Sequence, residues 1–173
     1  GHNLLGVACL GAALGMKAEL EATGKEGTVV FYGCPAEEVL TGKAFMARGG
    51  AFTELDTAFS WHGSTNNHVT LGTMTGLNSA IFHFNGITAH AGGDPHNGRS
   101  ALDAVELTSV GANYLREHVT SDVRIHYVIK EGGTAPNIVP DKASVWYYVR
   151  ALSREAVEDT YRRLVKVAEG AAH

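Results

Sequence analysis

Residues 27–33 read GTVVFYG, and that run restricts the fold more than any other stretch of the chain. Its side chains do not alternate between apolar and polar. A strand built from them needs cover on both faces, the condition of a strand inside a parallel sheet. Just beyond it, after Gly33 and Pro35, come two adjacent carboxylates, Glu37 and Glu38. A helical pattern precedes the run: Asn3 is placed to cap a helix reaching about Thr23, with Gly24 as its stop. Gly6, Gly11 and Gly15 lie inside that helix. Each costs up to ~1 kcal/mol relative to alanine, which close packing against a sheet would explain. Leu40–Arg48 reads as a short helix and DTAFSWHG (Asp56–Gly63) as a second buried strand. The first third is therefore a helix–strand–helix–strand alternation, as in a mostly parallel α/β sheet. Such sheets bind ligands outside the carboxyl ends of their strands, where Glu37, Glu38 and His62 fall.

After about Gly72 the pattern changes. LNSAIFHFNG (Leu77–Gly86) reads as a strand and is followed by the loop ITAHAGGDPHNGR. A helix then runs from Ser100 to about His118, with Ser100 and Asp103 spaced as in a capping box. Strands are expected at Asp122–Lys130 and Lys142–Arg150, and then a helix capped by Ser153. The order β-α-β-β-α is one strand short of a ferredoxin-like unit. Two domains are expected: 1–72, part of an α/β metal-binding domain, and 73–173, an incomplete ferredoxin-like domain. Both ends look cut, so the chain reads as an internal fragment.

Composition narrows the function. A length of 173 residues is enough to bury a core, and the net charge of −4 argues against a nucleic-acid groove. Two cysteines, Cys9 and Cys34, are too few for a disulfide framework. No apolar run approaches the length of a bilayer span and no signal segment opens the chain, so a cytoplasmic protein without membrane partners is expected.

His2, Glu37, Glu38 and His62 form the constellation with chemical potential. Imidazole and carboxylate suit zinc or manganese. Two adjacent carboxylates in a dry cleft repel, and a divalent cation removes that conflict. One glutamate can then bind the metal while the other serves as base near a metal-bound water. Each residue also has a plainer reading: a solvated surface pair for the glutamates, a strand-end residue for His62, a terminal residue for His2. Cys34 reads as a packed loop residue, Cys9 as core, and His96 as loop packing. His68, His83, His118, His126 and His173 take structural readings.

The segments GHNLLG, GCPAEE, FSWH, GITAHAGGDPHNGRSALDAVEL and GGTAPNIVPDKASVWYYVR occur in the order found in a known family. Together they resemble the dinuclear metallohydrolases of the aminoacylase and zinc-carboxypeptidase family, and within it the B-subunit branch of the aminobenzoyl-glutamate hydrolases. The resemblance implies a metal-dependent amidohydrolase or peptidase that cleaves N-acyl amino acids such as aminobenzoyl-glutamate. It implies Glu37 as general base and His2, Glu38 and His62 as metal ligands. The family's Cys-Gly-His segment would end on Gly1 and His2, its cysteine lying before Gly1, and Asn3 stands where many relatives have aspartate. The last family ligand, a distant histidine, has no counterpart here. His90 would be a lid histidine that stabilises the oxyanion in the partner subunit's site. Asn137 and Arg150 would bind the substrate's carbonyl and carboxylate, although an Asx-type turn and a surface charge are their plainer readings.

Two divalent ions, zinc or manganese, are implied for the intact enzyme, with one or none in this chain, which is expected to be inactive alone. A homodimer through the lid domain, or a second kind of subunit, is the implied partner. The alternatives are a non-catalytic dimerisation module and a dipeptidase of the same family.

Overall fold

The computed structural model describes residues 2–173, and these fall into two compact units, divided after Thr70.

The first unit holds α1 (Asn3–Thr23), α2 (Glu37–Leu40) and α3 (Gly42–Arg48). Gly24 closes α1 in the left-handed conformation (φ 62°), as its position after the last apolar turn predicts. The start is displaced by one residue: His2 holds the cap position with helical backbone angles, and no side chain caps the helix. Leu4, Val7, Leu10, Leu14 and Met16 stay exposed on α1. By length and composition α1 is long and apolar enough to cross a membrane, which corrects the expectation that no run is. An apolar helix of the interior of an α/β fold meets the same criterion, but the close packing expected at Gly6, Gly11 and Gly15 is not seen: a β-carbon at any of the three would meet nothing within 4 Å.

The strands expected at Gly27–Gly33 and Asp56–Gly63 do not form; no residue before Gly76 is in a strand among those described. A strand exists only through the ladder it makes with a neighbour, and here neither run has one. Val29, Val30 and Phe31 are accordingly left exposed rather than covered on two faces. The segment is tied down instead by Tyr32, whose hydroxyl donates to Ala51 O (2.7 Å) and whose ring meets Phe52 edge-on at 5.0 Å. The parallel sheet inferred from sequence is thus absent among the described residues, and the observed α/β architecture is that of the second unit.

There the elements run β1 (Gly76–Asn85), α4 (Ala101–Leu115), β2 (Arg124–Glu131), β3 (Lys142–Ala151) and α5 (Arg154–Ala172), close to the β-α-β-β-α expectation. The strands form an antiparallel sheet in the order β1-β3-β2. Period-two alternation sorts the central strand. Ala143, Val145, Tyr147, Val149 and Ala151 are buried, while Trp146, Tyr148 and Arg150 between them are only half-buried.

Both helices pack on the sheet's buried face through helical spacings, α4 by Ala101, Val105, Thr108, Ala112 and Leu115, and α5 by Val157, Thr160, Leu164 and Ala168. Ser100 and Ser153 cap them, accepting from Asp103 N and Ala156 N at 3.1 Å each. Where the helices meet, Gly111 lies against Val167: a β-carbon there would run into Val167 Cγ1.

Candidate functional site

Four of the residues singled out from sequence belong to the first unit. Ala36 (φ 55°) and Thr41 (φ 49°) adopt left-handed backbone on either side of α2, which confines Glu37 and Glu38 to a single helical turn. His2 Nε2 lies 2.8 Å from Glu38 Oε1, and the rings of His2 and His62 meet edge-on with centroids 5.4 Å apart. Three residues that lie far apart in sequence thus come together. His62 Nδ1 is 2.9 Å from Gly63 O. A carbonyl only accepts, so Nδ1 carries the proton; in the neutral ring Nε2 then keeps a lone pair, one of the two nitrogens through which an imidazole can bind a metal.

The donor types suit zinc or manganese, but the arrangement does not close around an ion. Among the described residues no three of His, Cys, Asp and Glu are grouped to hold one. The His2–Glu38 contact is itself direct, with both side chains about two-thirds exposed. Glu37 is exposed and makes no ion pair among the described residues. Gly1, the other residue matched to the Cys-Gly-His segment, lies outside the described residues.

The remaining candidates lie in the second unit, at opposite ends of its sheet. Beyond Asn85 the chain turns through TAHAGGDPHNG, which is zipped onto the loop APNIVP. Ala91 N donates to Asn137 O and Val139 N to Ala89 O, both at 2.9 Å, and His90 pairs with Ile138 across the bridge. His90 and Asn137 are therefore neighbours, both exposed. The amides of Gly92 and Gly93 donate to His90 Nδ1 at 3.2 and 3.0 Å. An N–H donor needs a lone pair, so the neutral ring carries its proton on Nε2, which makes no hydrogen bond among the described residues. No Asx turn forms at Asn137, whose side chain makes no hydrogen bond among the described residues. His96 sits 3.3 Å from Asp94 Oδ1, and Asn97 Nδ2 donates to both Asp94 oxygens, so this segment holds its own loop.

Arg150 lies near the far end of β3. From Lys142, beside the His90 loop, eight residues of strand at about 3.3 Å each place it roughly 26 Å away. Its guanidinium stacks on Tyr148, 5.7 Å from the ring centre, and forms no ion pair among the described residues. Sequence reasoning passed over Arg124, which stands directly opposite Arg150 in the β2–β3 register. Only strand pairing reveals that, although both strand-like runs carry an arginine.

Residues 73–173 match the family model described as a peptidase dimerisation domain, M20_dimer. Over 174 residues the chain is 48% identical to the B subunit of p-aminobenzoyl-glutamate hydrolase from Escherichia coli (strain K12), covering 99% of this chain and 36% of that protein. It is 36% identical over 160 residues to Xaa-Arg dipeptidase of Mus musculus, covering 91% of this chain and 37% of that one. The chain thus spans little more than a third of the length of these relatives. The crystal structure of a hydantoinase/carbamoylase family amidase from Burkholderia ambifaria superimposes with a TM-score of 0.54 at 15% identity, over 58% of this chain and 25% of that one, a likeness of fold alone. With more than half its length matched by that family model, the chain belongs to the M20 peptidase dimerisation domain family.

Proposed function

We propose that the chain is part of a metal-dependent amidohydrolase that cleaves the amide between an acyl group and an amino acid, with p-aminobenzoyl-glutamate or a similar N-acyl amino acid as substrate. On this reading residues 1–72 contribute to the catalytic domain, and residues 73–173 are a lid through which two chains pair. The observation that carries it is the split in the second unit: His90 and Asn137 share one end of the sheet, and Arg150 lies roughly 26 Å along β3 from Lys142 at that end. No single small substrate reaches both ends. Two chains related by a two-fold axis resolve this, one supplying His90 and Asn137 and the other Arg150. The Escherichia coli relative is itself named as one subunit of a hydrolase, which also fits assembly with other chains.

In this scheme Glu37 takes a proton from the attacking water and returns it to the leaving amine. His90 donates from Nε2 to the oxyanion as the carbonyl carbon becomes tetrahedral. Arg150 holds the substrate carboxylate through its planar fork of donors. Divalent ions supply Lewis-acid chemistry in hydrolases of this kind. Because His2, Glu38 and His62 do not close a cage here, no step is assigned to a metal.

Complementation in the full-length protein tests the scheme. Glu37→Gln and His90→Ala are each expected to abolish hydrolysis of p-aminobenzoyl-glutamate in the presence of zinc or manganese. Co-refolded in equal amounts, the two variants should recover about a quarter of wild-type turnover, since half the dimers are mixed and each mixed dimer holds one intact site. A mixture as inactive as its parts would show that His90 does not act across chains. A wild-type protein that pairs but hydrolyses nothing would leave a non-catalytic dimerisation module.

A further inference from the structure

We propose that Arg124 recognises a second carboxylate on the amino acid released, which makes the enzyme selective for acidic leaving groups such as glutamate. This deepens the proposed function and rests on it, taking Arg150 as the residue that holds the first carboxylate.

Register places Leu77, Arg150 and Arg124 in one row across β1, β3 and β2. Directly opposite residues share a face, and the alternation of β3 puts this row on the side away from the helices, with Trp146 and Tyr148. Two arginines directly opposite across an antiparallel pair repel, with Cα atoms only about 4.5–5.5 Å apart. Among the described residues neither guanidinium has a carboxylate within ion-pair distance, so the repulsion is relieved only at longer range, by Asp122 towards Arg124. Asp122 is the nearest acid in sequence, and its Oδ2 accepts from Leu152 N at 3.0 Å.

Both guanidiniums are nevertheless held in place. Arg124 Nη1 donates to Ser121 O (2.6 Å) and Val123 O (2.8 Å), which leaves Nε and Nη2 as donors without partners among the described residues. Arg150 is steadied from beneath by Tyr148, whose ring is in turn flanked by His126 and Trp146 at 5.7 and 5.2 Å. Two cations opposite each other on one face, Arg150 over the Tyr148 ring and Arg124 tied to backbone carbonyls, with no carboxylate at ion-pair distance among the described residues, complement a ligand that carries two carboxylates on a short arm. The same pair repels a leaving group with a cationic side chain.

The test compares kcat/KM for p-aminobenzoyl-glutamate and p-aminobenzoyl-glutamine in the full-length protein. The two substrates differ only in the charge of the side chain. Wild type should prefer the glutamate substrate, and Arg124→Gln should lower its kcat/KM about tenfold, mainly through KM, while leaving the glutamine substrate unchanged. Arg124→Lys, which keeps the charge and loses the fork, should recover part of the preference. A preference untouched by Arg124→Gln, or an equal fall for both substrates, overturns the proposal and leaves the hydrolase reading intact. Failure of wild type to cleave either substrate overturns both.

Discussion

Replacing Gly111 by alanine tests the packing that holds the second unit together. In a solvent-facing helix the change stabilises by about 1 kcal/mol, because alanine has the better helix propensity. Here the new methyl group meets Val167 Cγ1 on α5, with Val167 Cβ and Cγ2 close behind at 3.6 and 3.7 Å. Valine in a helix has one strongly preferred rotamer, so it cannot simply swing aside. Overpacking of this kind costs about 1–3 kcal/mol. The net effect of Gly111→Ala is then a loss of about 1 kcal/mol, set against a gain of the same size were the site open. The sign should reverse in a Val167→Ala background, where Cγ1 is gone and only the propensity gain remains. Urea unfolding followed by helical ellipticity on the four proteins of this cycle gives the coupling, expected at about 1–3 kcal/mol. Stabilisation by Gly111→Ala in the wild-type background would refute the close approach of α4 and α5.

Two more predictions concern the same core. Burial pushes the Tyr147 phenol above its ordinary value of 10.0, against the opposing effect of its hydrogen bond to Ser109 Oγ (3.3 Å). The unfolded chain therefore ionises first as pH rises through about 10, so stability should fall above that pH; Tyr147→Phe should flatten this limb in thermal melts from about pH 8 to 11, roughly the span over which a phenol titrates. Leu164→Ala removes a side chain of 0% exposure from α5 and should cost about 2–5 kcal/mol in urea unfolding, whereas Leu152→Ala, at 56% exposure, should cost little.

The elements that sequence located well are those whose signals are local. Ser100 and Ser153 cap the helices that follow them, and the burial spacings of α4 and α5 can be read from one segment at a time. The strands of the second unit were legible too, because each has its neighbours within the same unit. The runs at 27–33 and 56–63 carry an equally clear composition, yet composition does not supply a ladder, and without one they stay extended and open.

For the candidate site the division is similar. The order of motifs singled out His2, Glu38 and His62, and contact between them appears in the structure. That His90 is held through Nδ1 by two glycine amides depends on a loop conformation that no pattern announces. The pairing of Arg124 with Arg150 depends on register, which a one-residue slip would abolish.

The alternation along β3 has a consequence for how this segment tolerates change. Its odd-numbered positions from Ala143 to Ala151 are buried, as is Ser144, and Trp146, Tyr148 and Arg150 lie on the outer face. On the proposed reading, ligand preference can be rewritten at positions 146, 148 and 150 while the buried positions stay fixed. A saturation scan of the strand would separate into two interleaved records, one of stability and one of recognition, each silent where the other speaks.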